Sequence, residues 1–299
     1  MNNVSVIIPT YNTARYFEQA VNSVLEQTVP PLEVIVVDDG SSDNIDEVVQ
    51  PYLNRITFIK KKNEGISSAY NAAIKICRGE WIAICDGDDY WHPDKLCEQQ
   101  KLISEEVGVI YCNKILFDET NQQFTRFVYP RNINNDPLKS LLKSFFASPS
   151  TIMIRKALFD ECGYFNLSLS SSEDYDMWIR FASLRRYKFV SCSEFLTYKR
   201  VRTTSIQQMQ GYKVLIPLVF DVLLRHKELF KNQLNLSERS FYWHIGFNYG
   251  WIIKKMFKEY QFRLFMRFLT SSFETHLISG AGAVYRFLFK KQQHIPWYQ

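Results

Sequence analysis

Three carboxylates crowd the end of one short apolar run. Trp81-Ile82-Ala83-Ile84-Cys85 has the length and composition of a buried strand, and it leads directly into Asp86-Gly87-Asp88-Asp89. Anions this close repel one another and resist ionisation unless a cation lies among them. A hard divalent ion carrying a diphosphate suits such a turn. Mg²⁺ and Mn²⁺ take oxygen ligands and bind through one or two carboxylates plus phosphate oxygens. An acidic turn open to water is the alternative that Asp-x-Asp-Asp alone leaves standing. A calcium loop fits worse, because it needs an acidic or amide group at Tyr90, Gly at Trp91 and Glu at Cys97.

Three further segments put polar side chains where a strand ends or a helix starts. Ile8-Pro9-Thr10-Tyr11-Asn12 closes a first apolar run, and Val37-Asp38-Asp39-Gly40-Ser41-Ser42-Asp43 closes a second. Ser172-Glu173-Asp174-Tyr175-Asp176-Met177-Trp178 opens a helix. Tyr11, taken by itself, suits packing as an aromatic cap on the sheet. Asp38, Asp39 and Asp43 equally suit turn formation or helix capping, the favoured reading for Asp43. Asp174 and Asp176 precede Met177, Trp178, Ile179 and Phe181, so N-capping stands beside a chemical role. Glu173 is the second choice for that role. Tyr198-Lys199-Arg200-Val201-Arg202-Thr203-Thr204-Ser205 reads by itself as an exposed basic loop. His92 reads as structural.

The elements that must carry these groups alternate. Strands are expected at Val4–Ile8, Glu33–Val37, Ile56–Ile59, Trp81–Cys85 and Val107–Cys112, with helices at Ala14–Gln27, Ile45–Leu53, Ser67–Ile76 and Lys95–Ser104 between them. This order predicts an open parallel α/β sheet with helices on both faces, and ligands gather at the carboxyl ends of such strands. From about Asp118 to Tyr198 strand-like pieces (Phe124–Tyr129, Thr151–Ile154, Phe189–Val190) mix with helices at Pro137–Phe145 and Tyr175–Leu184, as in a second lobe. Beyond Gln207 helices are expected at Val214–Phe230, Glu238–Phe257 and Tyr260–Phe273.

At 299 residues the chain can bury a full core, as one large domain or one and a half. The net charge of +5 suits polyanionic ligands or an anionic membrane surface. The basic residues are dispersed, which argues against nucleic acid. Six cysteines form no CxxC pair, and the start lacks a basic n-region and an apolar h-region, so reduced thiols in a cytosolic protein are expected. No run of about 18 apolar residues free of charge is present, which predicts a soluble or peripheral protein.

The four segments occur in one order, with Gly79-Glu80-Trp81 ahead of the acidic turn and Pro93-Asp94-Lys95-Leu96 after it. Over roughly residues 3–206 they resemble the inverting family 2 glycosyltransferases with the GT-A fold. The resemblance implies a Rossmann-like, mostly parallel sheet flanked by helices. It implies a nucleotide-sugar-binding half at 1–115, an acceptor-side half at 116–206 and a helical C-terminal extension at 207–299. The activity it implies is transfer from a nucleotide-diphospho-sugar, foremost a UDP-sugar, to a hydroxyl of a glycan or glycolipid acceptor, with Mn²⁺ or Mg²⁺. Surface polysaccharide or lipid-linked oligosaccharide synthesis is the implied setting. In that pattern Tyr11 beside Pro9 and Thr10 is the base platform, Asp39 accepts a base N–H, and Asn63 and Gly65 belong to an Asn-x-Gly segment. Asp86 is the ribose-side carboxylate, Gly87 follows it, Asp88 is the metal ligand and Asp174 the catalytic base. Arg202 replaces a family His, and Tyr70 stands where the family carries Arg, so no contact is assigned to it. A scaffold subunit that kept the fold and lost the chemistry is the alternative, opposed by the presence of Asp86, Asp88 and Asp174. A nucleotidyltransferase would want a Gly-rich phosphate loop where Pro9-Thr10-Tyr11-Asn12-Thr13 stands. The basic and aromatic stretches Lys254–Lys258 and Arg286–Lys291 suit peripheral contact with the inner face of a cell membrane, or plain core and homo-oligomer contacts.

Overall fold

Four β-branched runs assemble side by side at the start of the chain. β1 (Val4–Thr10), β2 (Glu33–Asp38), β3 (Thr57–Lys60) and β4 (Trp81–Ile84) lie in the order β3-β2-β1-β4, every pair parallel. Continuous apolar runs form such strands because both faces of a parallel sheet are covered. Val4, Val6, Ile8, Val34, Val36, Trp81 and Ala83 share one buried cluster with Phe17, Val21 and Val24 of α1 (Ala14–Leu25). Side chains alternate across a strand, so Ile7, Ile35 and Val37 face away from that cluster. After α2 (Ile45–Val48), α3 (Ile66–Ile74) lies against β1 and β2 and buries Ala69, Tyr70, Ala73 and Ile74. The computed structural model describes residues 3–118, 123–129, 136–143, 147–202 and 218–245.

Past β4 the pairing becomes mixed. β5 (Tyr90–Trp91), β6 (Val107–Asp118), β7 (Gln123–Val128), β8 (Ile152–Arg155) and β9 (Lys188–Val201) complete the order β3-β2-β1-β4-β8-β6-β9-β5, with β7 on β6. β8 is antiparallel to both β4 and β6, β9 is parallel to β6, and β5 is antiparallel to β9. The expected fifth strand at Val107–Cys112 is therefore twice as long and is separated from β4 by β8. The piece read at Phe189–Val190 is the start of a 14-residue strand. Its length is hidden because Ser191, Ser193, Glu194 and Lys199 interrupt the apolar pattern and the register with β6 shifts around Asn113.

α4 (Lys95–Gln100), α5 (Pro137–Lys143), α6 (Ala157–Cys162) and α7 (Glu173–Ser183) complete the labelled helices. Lys95 is 0% exposed. Its Nζ donates to Gln99 Oε1 at 2.6 Å and sits 4.0 Å from the centre of the Trp91 ring, while burial lowers its pKa. The chain divides into two compact units, Met1–Pro137 with Phe145–Met209, and Leu138–Ser144 with Gln210–Gln299. In the second unit residues 218–225, Lys227–Leu234 and 238–245 are helical, with Phe230 and Phe241 packed at 6.1 Å and Lys227 bridged to Glu238 at 3.0 Å. The expected Tyr260–Phe273 helix, the basic stretches Lys254–Lys258 and Arg286–Lys291, and Thr203–Ser205 lie outside the described residues. Among the described residues no helix is long and apolar enough to cross a membrane.

Two clamps fix the entry to α7. Asn71 of α3 donates from Nδ2 to Phe165 O at 2.8 Å and accepts from Phe165 N at Oδ1, also at 2.8 Å. Arg180 pairs with Asp176 at 2.9 Å and donates to the carbonyls of Cys162 and Tyr164 at 2.8 and 2.9 Å. Replacing Asn71 leaves both backbone groups of Phe165 buried and unpaired. Asn71→Ala is expected to cost about 2–4 kcal/mol, read from the shift in a urea unfolding curve.

Candidate active site

Backbone contact comes first in this site, because the acidic turn must be pressed against the end of β1. Gly87 N donates to Pro9 O at 3.0 Å. A Cβ at Gly87 would stand 2.7 Å from that oxygen and 2.9 Å from Thr13 Oγ1, so glycine permits the approach. Asp89, 1% exposed, anchors the far side. Its carboxylate accepts from Ser150 Oγ at 2.6 Å and from Arg200 N at 2.9 Å, while Asp86 N donates to Ser150 Oγ at 3.1 Å. The third carboxylate of the turn is thus an internal fastener.

Strand β5 then delivers the countercharge. Its two residues pair with β9 as Tyr90↔Tyr198 and Trp91↔Thr197, and the Tyr90 and Tyr198 rings stack at 4.6 Å. This register sets the basic end of β9 beside the acids. Lys199 Nζ lies 3.5 Å from Asp89 Oδ2 and 4.0 Å from Asp86 Oδ2. Arg200 Nε donates to Asp88 O at 3.0 Å, and Arg202 pairs with the Asp88 carboxylate. Tyr16 of α1 lies 4.6 Å from the Arg200 guanidinium and 5.4 Å from that of Arg202, whose Nε is buried with no hydrogen-bond partner among the described residues.

The charges remain imperfectly balanced. Burial pushes Asp86 up to about 6, with Asp89 and Asp88 adding to the rise and Lys199 opposing it. Asp88 is raised for the same reasons, against Lys199 and Arg202. Burial alone would lower Lys199, but Asp89, Asp86 and Asp88 together raise it. Tyr70, 1% exposed, donates its hydroxyl to Asp86 Oδ1 at 2.7 Å and rests on Phe165 at 4.8 Å. Sequence reasoning missed this contact. The available signal was position, since Tyr70 falls on the Ser67, Asn71 and Ile74 stripe of α3 that helical spacing turns inward.

The ends of β1 and β2 form a second group. Tyr11 is 49% exposed and presents an open ring, whereas Thr10 is buried and shares a hydrogen with Thr13 Oγ1 at 2.7 Å. Asn12 holds φ at 52° and accepts Ser42 N at 2.8 Å. Asp43 Oδ2 accepts Ala14 N at 2.8 Å at the start of α1, the capping role expected of it. Asp39 accepts from Lys61 Nζ at 2.6 Å, Glu64 N at 3.1 Å and Gly65 N at 2.8 Å, and Asn63 Oδ1 also accepts Gly65 N at 3.2 Å. Asp39, Asn63 and Gly65 are therefore brought together as one braced loop. Asp38 Oδ2 is buried with no hydrogen-bond partner among the described residues.

Asp174 enters from α7. Ser172, in the left-handed region at φ 62°, turns the chain so that Glu173 and Asp174 begin the helix. Asp176 is taken by Arg180, but Asp174 accepts only its neighbour Tyr175 N, at 2.8 Å, among its hydrogen bonds within the described residues. Burial holds Asp174 well above the carboxylate range, Glu173 and Asp86 raise it further, and Lys199 pulls it down. Asp86, Lys199, Glu173 and Asp174 thus share one electrostatic environment.

Among the described residues no group of three or more His, Cys, Asp or Glu is arranged as a metal cage. A cage is unnecessary for an ion held chiefly by a diphosphate, for which one or two carboxylate oxygens suffice. The raised Asp86 and Asp88 are hard oxygen donors whose charge Lys199 and Arg202 offset only in part, so the residues present fit such an ion.

The profile of Glycosyl transferase family 2 matches residues 5–163. An uncharacterised glycosyltransferase of Rickettsia typhi is 33% identical over 226 residues, covering 71% of this chain and 70% of that protein. Chondroitin synthase of Escherichia coli is 31% identical over 70% of this chain, which spans only 31% of the synthase. Among solved structures, S. aureus TarS 1–349 in complex with UDP-GlcNAc superposes with a TM-score of 0.61 at 22% identity, covering 86% of this chain and 73% of that one. A mannosyltransferase of Pyrobaculum calidifontis in complex with GDP-Man and Mn²⁺ superposes with a TM-score of 0.60 at 17% identity, over 97% and 88% of the two chains. The fold is GT-A.

Raised carboxyl pKa values make a signed prediction for the ligand-free protein. Asp86 binds its proton more tightly folded than unfolded, so its contribution to stability is present at low pH and is lost as pH rises through about 6. Unfolding midpoints in urea are expected to fall between pH 5 and pH 7.5, and Asp86→Asn to flatten that slope; a slope unchanged by the substitution would contradict the assignment. Tyr70→Phe should cost about 1–2 kcal/mol and move the Asp86 transition to higher pH, since the lost hydroxyl favours the ionised form.

Proposed function

The chain belongs to Glycosyl transferase family 2, and on that premise we propose that it transfers a sugar, with inversion, from a UDP-sugar to a hydroxyl of a growing polysaccharide or lipid-linked glycan. One observation carries the reading. Lys199 lies 4.0 Å from Asp86 and 3.5 Å from Asp89, Arg202 pairs with Asp88 at the same turn, and the pKa of Asp174, from α7, is raised by Asp86 and lowered by Lys199. The nucleotide-sugar half is assigned to residues 1–115 and the acceptor side to 116–206.

The donor's base is assigned to the open Tyr11 ring, and its base N–H to Asp39 on the loop braced against Asn63 and Gly65. The UDP-GlcNAc complex of TarS supports a uridine nucleotide, and chondroitin synthase among the relatives supports a polysaccharide acceptor. Asp88 would hold Mn²⁺ or Mg²⁺, as the Mn²⁺ complex of the mannosyltransferase supports. When bound, such an ion offsets the charge of the departing diphosphate. Arg202 holds its guanidinium beside Asp88, where its remaining N–H groups could turn to phosphate oxygens.

Asp174 acts on the acceptor. Its carboxylate takes the hydroxyl proton as that oxygen attacks the anomeric carbon, and the bond from that carbon to the diphosphate breaks in the same displacement. Inversion follows from the single in-line step. A raised pKa makes Asp174 a stronger base once ionised, and it places the acid limb of the rate profile above the ordinary carboxylate range.

The test is UDP release from UDP-glucose and UDP-N-acetylglucosamine with Mn²⁺. Asp174→Asn is expected to lower turnover by about 10²–10⁴-fold, while calorimetry shows donor affinity nearly intact. Full turnover in that variant would retire the base. Asp88→Ala should abolish the gain in donor affinity that Mn²⁺ provides.

A further inference from the structure

The loop braced on Asp39 carries a cation that no step above employs. β3 ends at Lys60, and Lys61 N continues its ladder by donating to Asp38 O at 2.9 Å. Lys61 Nζ donates to Asp39 Oδ1 at 2.6 Å and to Lys62 O at 2.7 Å, and lies 3.0 Å from Glu64 Oε2. These three contacts use the three donors of an ammonium. The last is the one readily exchanged. The Glu64 side chain is 62% exposed, its other bond is from Ser68 Oγ at 3.0 Å, and ion pairs so open to water hold weakly.

The Asp39 carboxylate has room for one more donor. Among the described residues Oδ1 accepts Lys61 Nζ and Glu64 N, whereas Oδ2 accepts Gly65 N alone. Asp39 N donates to Thr10 O at 2.9 Å, so this carboxylate and the open Tyr11 ring leave from neighbouring positions. An acceptor and an ammonium thus stand side by side next to the ring, the complement of a base N–H flanked by a carbonyl. Uracil and guanine present that edge, while cytosine and adenine carry an amino group where the carbonyl would be. No other cation is offered here by the neighbouring elements. Lys60 pairs with Asp46, and α3 contains no basic residue and commits its Tyr70 hydroxyl to Asp86.

We propose that Lys61 selects the nucleotide of the donor, its ammonium exchanging Glu64 for the base carbonyl that adjoins the N–H accepted by Asp39. The proposal rests on Asp39 as the base acceptor. A cytidine or adenosine nucleotide would set its amino group against the ammonium and its bare ring nitrogen against the carboxylate, leaving both charges without a partner on the base.

The experiment is calorimetry of the full chain with UDP, 2-thio-UDP and 4-thio-UDP, since sulfur in place of a carbonyl oxygen is a weaker acceptor. One of the two thio analogues is expected to bind the parent protein about tenfold more weakly than UDP. In Lys61→Met that preference should vanish, with UDP itself bound about tenfold more weakly, and the position at which it vanishes identifies the carbonyl. Glu64→Ala, which removes the competitor, should retain the preference. A residue that merely braced the loop would weaken all three nucleotides alike, so a thio preference that survives in Lys61→Met overturns the proposal. Equal binding of all three by the parent protein does the same. Should the chain take GDP in place of UDP, 6-thio-GDP makes the same comparison, and should Lys61→Met fail to fold, Lys61→Ala replaces it. Binding of neither UDP nor GDP, or unaltered nucleotide affinity in Asp39→Ala, would retire the base site and this role with it, a result distinct from a preference that outlives Lys61.

Discussion

Mutual repulsion among Asp86, Asp88 and Asp89 is the constraint around which this molecule is arranged. Three carboxylates in four residues, largely withdrawn from water, would not stay ionised together without cations close by. The fold supplies those cations from the last strand of its sheet. Pairing of β9 with β6 on one side and with the two residues of β5 on the other lines Lys199, Arg200 and Arg202 up with the turn. Compensation is incomplete, since Asp86 still sits at about 6 while Lys199 is raised. A divalent ion bound at the turn would neutralise that residual negative charge, so the electrostatic cost of clustering the three acids would itself favour such an ion.

Backbone geometry serves the same end. Gly87 lets the turn press on Pro9, and Gly40, at φ 76°, lets the loop after β2 approach Asn63, where a Cβ would come within 2.7 Å of the backbone nitrogen. Asn12 and Ser172 take left-handed conformations without being glycine, each directly beside a functional segment. Such conformations cost about 1–3 kcal/mol and persist only where surrounding contacts over-determine them. Here those contacts are the Asn12–Ser42 bond on one side and the Asn71 and Arg180 clamps on the other.

The parallel half of the sheet was readable residue by residue, because continuous β-branched runs buried on two faces have few other interpretations. The carboxyl ends of those strands followed, and with them Tyr11, Asp39 and the acidic turn. Illegible were features whose partners lie far away in the chain or whose pattern is polar. β9 reads as two residues of strand because, beyond Phe189, its buried positions mix Cys192 and Leu196 with the polar Thr197 and Arg200. Tyr70 appeared to be a departure from the family pattern, and only the fold showed its hydroxyl on Asp86. Lys199 was one basic residue in a basic stretch until the Tyr90↔Tyr198 pairing gave it an address. Both the basic end of β9 and Asp174 lie beyond the 5–163 stretch that the family profile covers.

The separation between Asp89 and Arg200, 111 positions along the chain, has a consequence for biogenesis. A ribosome emits the acidic turn long before the strand that neutralises it, at about 5–20 residues per second. The emerging N-terminal portion can pair β1, β2, β3 and β4, but for several seconds its turn holds three unopposed anions and stays loose or protonated. Closing so long a loop is slow, and pairings of this range tend to form late. The neighbourhood of the acidic turn is thus expected to be the last part of the domain to mature, and a nascent chain that stalls before β9 would carry the parallel half of the sheet without the cations that face the turn.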